Sequence, residues 1–145
     1  MQPDRPLKGH PAMKEIPATL TATFDLLVGS EHTADAMGNT GMGVLATPYV
    51  VLMVEAAAAR AVQPYLDAGE GVAGTHIDLH HLAPTAVGRR AQATVHLTAR
   101  DGRRLQFSAR VESGGGIIAE GTYASMIVTL ARVLARAEAQ PADTA

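Results

Sequence analysis

The sequence predicts an α+β domain in which an antiparallel sheet of about five strands wraps around one central helix. Three observations carry this. One stretch, residues 46–66, has helical periodicity and is almost wholly apolar over 50–59. The remaining ordered stretches alternate apolar and polar residues, as half-buried strands do. Glycine-rich turns, among them Asp101-Gly102 and Gly114-Gly115-Gly116, join the later strands as hairpins.

Residues 1–17 hold four prolines and mixed charge, and read as a lead-in to a domain spanning 18–134. In 18–28, Leu20, Ala22, Phe24, Leu26 and Val28 share one face and three threonines with Asp25 the other, which is a strand. Residues 36–43, AMGNTGMG, form a flexible loop; no GK[ST] follows, so it is not a phosphate loop. Thr47-Pro48 reads as a helix start, with the threonine capping free N–H groups and the proline at the first helical position. Val50, Val54, Ala57, Ala58, Ala61 and Val62 then recur at helical spacing, and Gly69 and Gly71 are expected to stop the helix.

Glu55 interrupts that apolar helix. A carboxylate wrapped inside protein loses hydration and needs a partner, or its proton is held more tightly. A glutamate on the solvated side of the helix is the plainer alternative. In the next strand, 72–82, Thr75, Ile77, Leu79 and His81 are expected to face the helix, which puts His81 in the same layer as Glu55. His76, Asp78 and His80 fall on the opposite face. Three ligands spaced two apart lie about 6.5–7 Å from one another along a strand. They splay too widely for one ion unless the strand bulges, and a polar sheet face or subunit contact is expected ahead of a metal site. Strands at 89–100 (Ala91, Ala93, Val95 and Leu97 inward) and 103–113 (Leu105, Phe107, Ala109 and Val111 inward) follow. A long strand at 117–134, bulged at Gly121 or ending in a short helix, completes the domain before a polar tail at 135–145.

Composition narrows the function. Net charge is −2, too weak a field for nucleic acid. There is no cysteine, hence no disulfide framework and no thiolate nucleophile. No run approaches the roughly 18 apolar residues of a membrane span, and the N-terminus lacks an apolar signal core. A cytoplasmic protein without membrane or nucleic-acid partners is expected. Burying one helix against one sheet leaves sheet edges open, which dimerisation through an edge strand relieves.

The segment ATPYVVLMVEAAAARAVQPYLDAGEGVAGTHIDLHHLAPT resembles the fluoroacetyl-CoA thioesterase family of hotdog-fold enzymes. The likeness continues through DGRRLQF and EGTYAS and covers roughly residues 44–132. Its marks are the ATxxxxxxxE spacing, the PYLxxGEG exit and the GTxxxxxH strand. The resemblance implies a hotdog fold and an acyl-CoA thioesterase; no cofactor or metal is expected, and the open sheet edges favour a homodimer. It places the catalytic threonine, glutamate and histidine on Thr47, Glu55 and His81. The glycine beside the bound acyl group falls on Gly74. Members strictly selective for fluoroacetyl groups carry phenylalanines where this chain has Gly38 and Gly41, and an arginine where it has Ser125. These substrate-binding positions therefore imply a more open site for another small or medium acyl thioester.

His81 is then the expected general base and acid, with Glu55 orienting it and a water or attacking directly, and Thr47 holding the acyl group or Glu55. Thr47 and Glu55 lie eight positions apart, about 12 Å of rise in a continuous helix. Either Thr47 sits in a lead-in that folds back, or the site draws on two subunits. An enoyl-thioester hydratase and a non-catalytic acyl-thioester or small-ligand binding protein are the alternatives. Arg89, Arg90, Arg103 and Arg104 are candidates for CoA phosphates, although arginines around a hairpin are commonly plain surface charge.

Overall fold

A computed structural model describes residues 15–143. Most of the expected lead-in lies outside those residues. Its last part is described, and there Ile16, 7% exposed, joins the hydrophobic core.

The chain runs β1 (Thr21–Leu27), α1 (Thr47–Val62), β2 (Glu70–His81), β3 (Arg90–Asp101), β4 (Arg104–Ser113), β5 (Gly116–Thr129) and α2 (Leu130–Glu138). Short 3₁₀ turns at Ser30–His32, Asp35–Met37 and Gln63–Tyr65 flank α1. The five strands form one antiparallel sheet in the order β1-β3-β4-β5-β2. No described helix is long and apolar enough to cross a membrane.

Alternation produces the core directly. Ala91, Ala93 and Val95 of β3 and Leu105, Phe107, Ala109 and Val111 of β4 all point at the helix and are buried. Val50, Met53, Val54, Ala57, Ala58, Ala61 and Val62 of α1 answer them. With few aromatics available, alanines facing alanines let helix and sheet approach closely, and dispersion rewards that fit. Arg60 fastens α1 to β1: its guanidinium donates to Thr23 O at 3.0 Å and lies 5.3 Å from the centre of the Phe24 ring.

Several expectations are corrected. The helix is capped by Ala46, which offers no side-chain bond, and Thr47 is its first residue rather than its cap. Pro64 lies in the 3₁₀ turn after Val62, so the α-helix ends well before Gly69 and Gly71. The last strand stops at Thr129 and a short helix follows it. Its irregularity lies opposite Val111 and Glu112 of β4, not at Gly121. Gly121 sits in a regular stretch, where a Cβ would overlap the Asp78 carbonyl of β2; close strand approach is what requires glycine there.

The most consequential correction concerns β2. Its register against β5 shifts between Gly74 and His76, so Thr75 drops out of the ladder as a bulge. Ile77, Leu79 and His81 stay on the helix side, partly buried, while Thr75 is exposed. The extra residue restores Gly74 to that side as well, because Gly74 pairs with buried, inward-facing Ser125 and Ile77 with inward-facing Tyr123.

Candidate active site

Two clusters of polar side chains lie on the helix side of β2. The first joins the start of α1 to the end of β2. Thr47 Oγ1 and His81 Nδ1 share a hydrogen bond of 2.8 Å, whose direction follows the imidazole tautomer. The other ring nitrogen, His81 Nε2, is buried without a hydrogen-bond partner among the described residues. A buried, unpaired imidazole nitrogen is costly in a resting protein, and catalytic groups are where such costs are tolerated. The threonine reaches the imidazole because the chain enters the helix there. Ala46 N–H donates to His32 O at 2.9 Å and Leu45 N–H to Thr85 O at 2.9 Å, which pins the first turn against the segment following β2. The positive end of the helix dipole lies at the same point.

A cleft of about 260 Å³ opens beside this pair. Its walls include Met42, Val44, Leu45, Leu82, Ala83 and Pro84, so they are largely apolar.

The second cluster gathers around Gly74. A Cβ built on that glycine would come 2.6 Å from the Tyr123 hydroxyl and 3.3 Å from Glu55 Oε1. Burial, with Glu55's negative charge second, pushes the Tyr123 phenol up to about 12, so it remains a hydrogen-bond donor at any ordinary pH. Ser125, the register partner of Gly74, is 2% exposed and its hydroxyl has no hydrogen-bond partner among the described residues. Tyr123 escapes a reading of motifs. Period-two alternation along Ala119, Gly121, Tyr123, Ser125 and Ile127 is the signal that reveals it.

The clusters are separate within one chain. Thr47 and Glu55 belong to one continuous helix, about 12 Å apart along its axis. No folded-back lead-in brings them together. The expectation of a wrapped Glu55 is also corrected: it is exposed. Val51, Ala56 and Ala59 beside it are only partly buried and Leu52 is 44% exposed, so the apolar run leaves one helix face uncovered.

Gly38 and Gly41 stand in the loop before α1 with φ of 102° and 89°, and a Cβ at either would meet nothing within 4 Å. Asn39 and Met42 of that loop, rather than the glycines, line the cleft. His76, Asp78 and His80 are exposed on the opposite sheet face, with His80 Nε2 3.7 Å from Asp78 Oδ1. Arg103 is engaged by Glu70 at 2.7 Å.

A family model described as FlK, fluoroacetyl-CoA-specific thioesterase, matches residues 28–131. The fluoroacetyl-CoA thioesterase of Streptantibioticus cattleyicolor is 36% identical over 93 residues, which is 64% of this chain and 67% of that protein. Among solved structures, the fluoroacetyl-CoA thioesterase FlK superposes with a TM-score of 0.82 at 28% identity, over 88% of this chain and 100% of that one. A threonine-to-serine mutant of it in complex with acetyl-CoA gives 0.81 at 28% identity, over 84% and 96% of the two chains. A Thermus thermophilus protein described as a thioesterase superfamily member gives 0.80 at 26% identity, over 87% and 93%.

Proposed function

The chain belongs to the fluoroacetyl-CoA-specific thioesterase family of hotdog-fold hydrolases, and from that premise we propose that it hydrolyses small or medium acyl-CoA thioesters at a site made by Thr47, His81 and Glu55. One observation carries the reading: a threonine and a histidine share a 2.8 Å hydrogen bond while the imidazole's other nitrogen is buried beside a cleft, without a hydrogen-bond partner among the described residues.

Water attacks the thioester carbonyl carbon as His81 Nε2 takes its proton. For Nε2 to accept, Nδ1 must hold the ring's own proton and donate it toward Thr47 Oγ1, so the threonine fixes the useful tautomer. The tetrahedral oxyanion forms near the positive end of α1. It collapses with cleavage of the C–S bond, and the departing thiolate recovers the proton from His81. Glu55 either orients water and imidazolium or attacks the carbonyl itself, giving an anhydride that water opens. Gly74, beside that carboxylate, and Ser125, its register partner, are read as acyl-binding positions.

Since one chain holds Glu55 far from His81, the complete site is assigned to a homodimer in which Glu55 of the partner subunit serves His81. Two features support this. Strand β2 pairs only with β5 among the described strands, leaving one edge for a second copy. The uncovered face of α1 is apolar around Glu55, as a surface awaiting a partner is. Gly38, Gly41 and Ser125 stand where fluoroacetyl-selective members carry phenylalanines and arginine, so fluoroacetyl-CoA is not the preferred substrate. Acyl-CoA is made and used inside the cell, which places the activity in the cytoplasm.

Thiol release from a panel of acyl-CoAs tests the proposal. Glu55→Ala and His81→Ala should each lower turnover by at least ~10². Full turnover in both variants with every thioester ends the assignment.

A further inference from the structure

The cleft beside Thr47 and His81 bears on the identity of the substrate as well as on the position of the reaction. It begins at the two hydrogen-bonded side chains and runs between the loop before α1 and the segment after β2. Among the described residues lining it, none but His81 can carry a charge, and Asn39 is the one amide. Leu45 is 1% exposed and forms its floor; Met42 and Leu82, 47% and 56% exposed, stand along its walls toward solvent.

We infer that this cleft takes the acyl chain of the substrate, and that the substrate is an uncharged aliphatic acyl thioester of about four to eight carbons. The inference rests on the thioesterase reading above and names the substrate class of that same site.

Three arguments lead there. First, chemistry: the buried Nε2 of His81 fixes where the carbonyl region sits, so one of that carbonyl's two arms enters the cleft, and the CoA arm, with two amides and a hydroxyl to satisfy, fits a lining with one amide side chain less well than an acyl chain does. Second, polarity: a chain ending in a carboxylate or ammonium would lose its hydration against apolar walls, with no opposite charge to meet it. Dispersion against those walls does not offset that penalty. Methylenes, by contrast, are stabilised by leaving water for the same walls. Third, size: a molecule of liquid water occupies about 30 Å³, and a chain methylene close to that. A space of about 260 Å³ therefore holds a short or medium chain and not a long fatty one. It also falls below the roughly 300 Å³ at which pockets begin to enclose drug-sized molecules.

The test is kcat/KM across straight-chain acyl-CoAs from acetyl to dodecanoyl, with fluoroacetyl-CoA and an ω-carboxyl analogue of matched length. The rate constant should rise about fourfold per added methylene until the cleft is full, then level or fall. The ω-carboxyl analogue should be slower than its straight-chain match by at least ~10². Met42→Trp, a change on an exposed loop that the fold tolerates, should lower the hexanoyl-to-acetyl ratio of kcat/KM by about tenfold by narrowing the space. Thioester hydrolysis that is fastest with acetyl- or fluoroacetyl-CoA, or equally fast with the charged chain, overturns the inference and leaves the thioesterase reading standing. An unchanged ratio in Met42→Trp overturns it too. Absence of thiol release from every member of the panel overturns the thioesterase reading itself.

Discussion

At the scale of single residues, small separations decide what each group can do. His81 is a candidate base because Thr47 is hydrogen-bonded to one ring nitrogen and the other, buried, has no partner among the described residues. Glu55 is held near Gly74 because glycine leaves room: a methyl group there would press on the Tyr123 hydroxyl at 2.6 Å and reach Glu55 Oε1 at 3.3 Å. Gly74→Ala is therefore expected to displace the carboxylate and the Tyr123 ring, lowering kcat about tenfold and also lowering thermal stability, since Tyr123 belongs to the buried core. Steady-state kinetics and a melting curve on the same variant check this. Wild-type kcat would show that the space at Gly74 has no bearing on the chemistry. Tyr123 remains a neutral donor beside Glu55 because burial and that carboxylate's charge both oppose its ionisation.

Elements hold these residues in place, and β2 carries the largest share, since both clusters draw on it. Its bulge at Thr75 reverses the side-chain parity, so that Gly74 and His81 share the helix side despite lying an odd number of positions apart. The start of β2 is fixed by Glu70. Its carboxylate accepts from Asp67 N–H at 2.8 Å and from the Arg103 guanidinium at 2.7 Å, tying the helix exit to the β3–β4 hairpin. Those bonds, the Asp67 N–H first, hold the Glu70 pKa below its ordinary 4.5. The folded state thus favours the carboxylate more than the unfolded chain does. The resulting stabilisation is complete above pH 4.5 and fades as pH falls through the lower folded value. Urea midpoints should accordingly drop for the native protein as pH is lowered from about 5 to about 3, and Glu70→Gln should flatten part of that slope. Identical slopes in both proteins would mean the tie contributes nothing.

On the scale of the whole molecule, the site is split. Thr47 and His81 mark one end of α1, and Glu55, Gly74 and Tyr123 gather about two helical turns away. In the homodimer we propose, an antiparallel pairing of two β2 edges would make two equivalent composite sites, each combining one end from each chain. Co-expression gives a direct measurement. Glu55→Gln and His81→Ala homodimers should each be nearly inactive, whereas their heterodimer retains one intact site and should recover about half the native activity per dimer. Mixed dimers as inactive as the parents would show that each chain works with its own residues.

The order of elements, the inward faces of β3 and β4 and the family were legible in the sequence, because alternation and helical spacing report burial locally and because the Thr, Glu and His motifs sit at fixed offsets within continuous elements. Much of the site was not. Whether Glu55 is wrapped or exposed depends on which helix face the sheet covers, and a helix apolar on nearly every side gives no preference. The parity of Gly74 depends on a bulge set by the pairing of β2 with β5, which no spacing within β2 records. Thr47 reads as a cap in one dimension. Only the folded chain, by laying the end of β2 across the first turn of α1, turned its hydroxyl into the partner of His81.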